Sequence, residues 1–142
     1  MPKDIFNLTT QQVEGVYARA YNFYQVGRYS EAAQIFRVLM MLNGSETKYV
    51  LGLAACFQML KEYKDAADIY TFCTLIDPQN PIPYYHMSDC FMNLKDIPSA
   101  KVALKMAIQK AGEKAEYQIL KDRSILTLQH LDHTSKSTIK NR

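Results

Sequence analysis

Apolar and small residues recur along this chain with a helical rhythm, and the rhythm itself repeats. Cys56, Cys73 and Cys90 are spaced by 17 and 17, and two such steps make 34. Shifting the chain by 34 brings Phe23, Phe57 and Phe91 into register. The same shift aligns Ala20, Ala54 and Ser88, and Ala32, Ala66 and Ala100. It also aligns Tyr29 with Tyr63 and Ile97, Phe36 with Tyr70 and Leu104, and Leu39 with Cys73 and Ala107. These are the sizes a helix–turn–helix unit needs. A small residue on each helix lets its partner approach closely, and a large residue one turn on fills the space between hairpins.

Start and stop signals agree with that period. Thr9 and Gln12 form a capping box ahead of a first helix. Asn80-Pro81 and Asp96-Ile97-Pro98 each place a capping residue just before a proline in a first helical turn. Gly44, Pro78 and Gly112 fall at one position of the period, where a helix should end. The units fall at 13–46, 47–80 and 81–114, after a short lead-in at 1–12. Tyr117, Leu120, Leu128 and Leu131 make an apolar stripe that predicts one more helix over 115–131. The polar, uncapped residues 132–142 read as a disordered basic tail.

Three units of this length resemble the tetratricopeptide repeat. The resemblance implies an all-α fold, a solenoid of three helix–turn–helix repeats with a C-terminal capping helix. It also implies that the first helix of each repeat lines a concave groove. Carried onto this chain, the groove positions include Tyr17, Tyr21 and Tyr24 from the first repeat. They include Leu51, Ala55 and Gln58 from the second, and Tyr85, His86 and Asp89 from the third. Ala18 and Gly52 fall among them, which suggests a small-residue centre with room for a peptide backbone. A solvent-facing helix face should be charged, so a face of tyrosine, methionine and leucine points to a binding surface.

Composition narrows the function. Of 142 residues, 48% are hydrophobic and 22% charged, which fits a folded globular chain. No apolar run approaches the roughly 18 residues of a membrane span, so direct membrane insertion is not expected. The net charge of +3 resides in the last ten residues, which carry Lys136, Lys140 and Arg142 and no acid. The body is then neutral, with no basic stripe for nucleic acid. Three cysteines cannot all pair within one chain and read as buried thiols. His86, Asp89 and Cys90 are too few for a metal site without further ligands. No phosphate loop, nucleophile–base pair or cofactor motif stands out, so neither an enzyme nor a cofactor is expected.

Several stretches resemble the class II chaperones of bacterial type III secretion, which serve hydrophobic translocator proteins. They are the run from Gly27 to Leu39, the run from Tyr49 to Gln58, and Pro83-Tyr84-Tyr85-His86 with Asp89-Cys90. The resemblance covers about residues 10 to 131. It implies a bacterial cytoplasmic protein that binds an extended segment of a secreted translocator or effector in its groove. It also implies a weak homodimer that the client converts to a one-to-one complex. Members usually carry a longer N-terminal segment than the twelve or so residues here. Two other readings stand beside this one. A co-chaperone recognising an acidic tail needs a clamp of Lys, Asn and Arg where this chain has Tyr17, Tyr21, Gly52, Ile82 and His86. A structural or regulatory subunit of the secretion apparatus would instead use its convex or terminal faces.

Overall fold

The computed structural model describes residues 7–140, with side chains as far as Thr134. Residues 1–6 of the expected lead-in and 141–142 of the expected tail lie outside the described residues. The described chain is helical throughout: α1 (Thr10–Gln25), α2 (Tyr29–Leu42), α3 (Thr47–Met59), α4 (Tyr63–Ile76), α5 (Pro81–Asn93), α6 (Ile97–Ala111) and α7 (Gln118–Lys140). A single 3-10 turn, Ala115–Tyr117, precedes α7. None of these helices is long and apolar enough to cross a membrane.

The caps follow the sequence signals. The Gln12 N–H donates to Thr9 Oγ1 at 3.1 Å, and the Thr9 N–H donates back to Gln12 Oε1 at 2.8 Å. The Ile82 N–H donates to Asn80 Oδ1 at 3.0 Å, and the Ser99 N–H donates to Asp96 Oδ1 at 3.2 Å. The turn inside each hairpin is the same turn three times. Gly27, Lys61 and Lys95 all adopt positive φ, at 84°, 63° and 63°. In each case the next residue donates its N–H to the carbonyl of the in-register phenylalanine, at 2.9 Å. Only the first turn uses glycine, so the two lysines carry about 1 kcal/mol or more of backbone strain each. Gly112 takes a positive φ of 55° after α6, whereas Gly44 does not, because Asn43 already caps α2.

The chain divides after Asp77 into two compact units. In the first, α1 packs on α2, α2 on α3, and α3 on α4. Its core is built from Val13, Ala20, Ala32, Phe36, Leu39, Leu42, Tyr49, Leu53 and Cys56. Gly52 lies against the Phe36 ring of that core. A Cβ there would lie 2.4 Å from Phe36 Cε1, so the Phe36 ring fills the space beside the α3 backbone. The small centre expected to leave room for a bound backbone is therefore already occupied at Gly52 by the protein's own phenylalanine.

In the second unit α6 packs on both α5 and α7. Ser88 and Ser124 are buried with their hydroxyls satisfied, donating to Tyr85 O at 2.6 Å and Leu120 O at 2.8 Å. Lys121 Nζ donates to Gly112 O at 2.8 Å, placing a cation at the carbonyl end of α6. Lys101 pairs with Asp132 at 3.0 Å. The last helix differs from expectation at both ends. It starts at Gln118 rather than Ala115, and it continues past Leu131 to Lys140. No Gly or Pro lies between Asp132 and Lys140. A polar stretch without a breaker carries no stop signal.

Two outcomes follow. Gly52→Ala should cost about 1–3 kcal/mol in urea denaturation, since the buried Phe36 ring must move; an unchanged midpoint would refute the close contact. Ending the chain after Gly112 uncovers the α7-facing side of α6, so that fragment should aggregate or melt well below the full chain. A soluble fragment with an unchanged melting temperature would show that α7 is dispensable.

Candidate functional site

In the first unit the predicted groove residues divide by burial. Tyr21 is 49% exposed. Tyr17 is half-buried among aromatic neighbours, with ring centroids 6.0 Å from Phe36, 5.7 Å from Tyr49 and 6.4 Å from Tyr21. Lys48 Nζ sits 4.7 Å from the Tyr17 centroid, within cation–π range. Tyr24 packs edge-on against Tyr29 at 5.3 Å. Burial, more than any neighbouring charge, raises the phenol pKa values of Tyr17 and Tyr24. These two rings are as much structural as available, and Tyr21 is the accessible one. Leu51 and Ala55 are half-buried on α3. Gln58 is committed to structure, because its Oε1 accepts the hydroxyl of the buried Tyr70 at 2.6 Å.

In the second unit Tyr85 and His86 meet on α5 with ring centroids 5.5 Å apart. They line an open cleft of ≈ 500 Å³ together with Ile82, Glu116, Tyr117, Ile119, Leu120 and Arg123. The sequence reading missed the contribution of the C-terminal helix to this cleft. In the structure Ile119 is 70% exposed, unlike a purely capping residue. Asp89 is half-buried on α5, and its carbonyl accepts from Asn93 Nδ2 at 2.8 Å. Burial lowers the His86 pKa, and Asp89 partly opposes the shift. Apolar walls with a few polar groups suit the binding of apolar side chains.

The three thiols are free and buried. Burial pushes Cys56 up to about 11 and Cys73 and Cys90 to about 12. Groups held so far above neutrality are not nucleophiles. Among the described residues no three His, Cys, Asp or Glu side chains cluster to hold a metal.

The tetratricopeptide repeat family matches residues 13–43 and 47–80. Low calcium response locus protein H of Yersinia pestis is 28% identical over 116 residues, 82% of this chain and 69% of that protein. The crystal structure of PcrH in complex with the chaperone binding region of PopB is 31% identical, with a TM-score of 0.80. That likeness covers 83% of this chain and 95% of PcrH, a Pseudomonas aeruginosa protein. The Yersinia enterocolitica type III secretion chaperone SycD, in complex with a peptide of the translocator YopD, is 26% identical with a TM-score of 0.86. It covers 91% of this chain and 98% of that one.

The cleft carries a pH signature. His86 shares it with Glu116 and Arg123, and its lowered pKa means that folding favours the neutral ring. The unfolded chain then binds more protons, so stability is full above about pH 6.5 and falls as the pH drops through the lowered pKa. Urea midpoints should decline between pH 7.5 and 5.5, and less so in His86→Gln. An equal decline in both proteins would assign the effect elsewhere.

Proposed function

Because the chain belongs to the tetratricopeptide-repeat chaperones of type III secretion, we propose that it holds an extended segment of a hydrophobic secreted translocator, or of an effector. Holding that segment keeps the client soluble and ready for export. The chaperone works in the bacterial cytoplasm, by binding and without catalysis. The repeats at 13–46, 47–80 and 81–114 are the binding scaffold, and the C-terminal helix both covers α6 and lines the second unit's cleft.

One observation carries this reading. Tyr85, Ile82, Ile119 and Leu120 form an apolar wall around the few polar groups His86, Glu116 and Arg123. Such a wall accepts apolar side chains and fixes their register by hydrogen bonds. Tyr21, with Leu51 and Ala55, offers the first unit's contact to the same client. Tyr17 and Tyr24 back Tyr21 rather than reach out themselves. Asp89 beside His86 serves as a polar fixer. A proline-containing segment suits these surfaces, since it is extended before binding and loses little entropy. While no client is bound, the apolar surfaces favour weak self-association, which the client displaces. The solved structures include an alternative dimer of SycD.

Co-expression with hydrophobic type III translocators, followed by pull-down and titration, tests this. Aromatic anchors are worth about 2 kcal/mol each at hot spots. Tyr21→Ala with Tyr85→Ala should therefore weaken the complex on the order of a hundredfold or more, with helical content intact. Ser99→Ala, on α6, should leave affinity unchanged. A folded double variant that binds its client as tightly as wild type would move the site to another face.

A further inference from the structure

The cleft of the second unit has two unlike walls. Ile82, Tyr85 and His86 of α5 carry no charge near neutral pH, because burial favours the unprotonated His86 ring. The other wall is Glu116 and Tyr117 of the 3-10 turn with Ile119, Leu120 and Arg123 of α7. Ile119, Leu120 and Arg123 follow Glu116 at offsets of three, four and seven, which places all four in one row. That row runs from an acid through an apolar pair to a cation.

Charged side chains are dense from Glu113 to Arg123, and the others are engaged. Lys121 Nζ lies 3.3 Å from Glu113 Oε1 and donates to Gly112 O. Asp122 Oδ1 accepts from Gln118 Nε2 at 2.9 Å, and Lys114 Nζ lies 5.9 Å from the Tyr117 centroid. Glu116 and Arg123 are exposed, and their side chains have no partner among the described residues. The rises of the 3-10 turn and the helix set them about 11 Å apart along the axis, too far to pair with each other. The two charges that line the cleft are thus the two left free.

Free charges at the edge of an apolar site repel like charges and fix the register of what binds. In an extended segment, residues i and i+4 point to one side about 13 Å apart, with i+2 between them. That span matches the separation of Glu116 and Arg123, and long charged side chains make up the difference. We propose that Glu116 and Arg123 determine specificity, selecting client segments with opposite charges four residues apart around an apolar anchor. This selection presupposes that the cleft holds the client. The anchor enters between the two walls, a basic residue meets Glu116, and an acidic residue meets Arg123. Exposed pairs are individually weak, so the selection is by several-fold rather than absolute.

The probes are end-capped peptides titrated against the full chain with labelled isoleucine methyls. Ser-Lys-Pro-Leu-Pro-Glu-Ser is used in that order and with lysine and glutamate exchanged, to cover both chain directions. Two controls carry lysine at both charged places or glutamate at both. Binding should shift Ile82 and Ile119. At low salt one of the bipolar peptides should bind at least fivefold tighter than either control, and added salt should shrink the difference. Glu116→Lys should make the two-glutamate peptide the tightest binder, and Arg123→Glu should do so for the two-lysine peptide. Both substitutions fall at exposed positions, where folding is little affected. If all four peptides shift Ile82 and Ile119 with equal affinity, or the folded variants keep the wild-type ranking, the charge selection is overturned while the cleft stands as the client surface. If no peptide shifts either residue, the cleft itself is lost as the client surface, and the charge selection with it.

Discussion

Close helix packing through small buried side chains is the constraint from which the rest of this molecule follows. Ala20 and Ala32, Ala54 and Ala66, and Ser88 and Ala100 are buried on the paired helices of the three hairpins. Larger side chains at those places would force the helices apart and break the register of the next pair. Gly52 extends the constraint between hairpins, because it lets the Phe36 ring rest against the α3 backbone. The repeated left-handed turn at Gly27, Lys61 and Lys95 sets each hairpin's reversal in the same way.

Packing settled in this way fixes which side chains are left over for binding. Aromatic residues of the first helices divide between holding the hairpins and facing outward, and the division follows neighbours rather than residue type. Tyr17 and Tyr24 find aromatic partners, whereas Tyr21 stays exposed. In the second unit the C-terminal helix completes the wall that α5 begins. The 3-10 turn and α7 together contribute five of the eight lining residues, from Glu116 to Arg123.

The fold was legible because the residues that define the period are the ones the core cannot exchange. Caps were legible for the same reason: Thr9, Asn80 and Asp96 act through their immediate neighbours in sequence. The end of α7 was not legible, since Asp132 to Lys140 is polar but holds no breaker, and polarity reports exposure alone. Of the expected groove residues, Tyr85 and His86 line the α5 cleft and Tyr21 is exposed, a placement that follows from character out of place on an outer helix face. The site was misread at Gly52 and Gln58. A small residue announces space without saying what fills it, and Phe36 fills this one. A glutamine announces hydrogen bonding without naming the partner, and Tyr70 is the partner here. Leu120 belongs to an apolar stripe that on a last helix reads first as packing, and Ile119 lies outside that stripe.

The central claim is that the first-helix faces, with the C-terminal helix, hold the client. Photo-crosslinking reads this directly. A benzophenone amino acid is placed at Tyr21, at Tyr85 or at Leu75, an outward position on α4 that is 75% exposed. Each form is co-expressed with the translocator and irradiated. Adducts from positions 21 and 85 and none from 75 are the predicted result. Adducts from position 75 alone would place the client on the opposite helices and contradict the account.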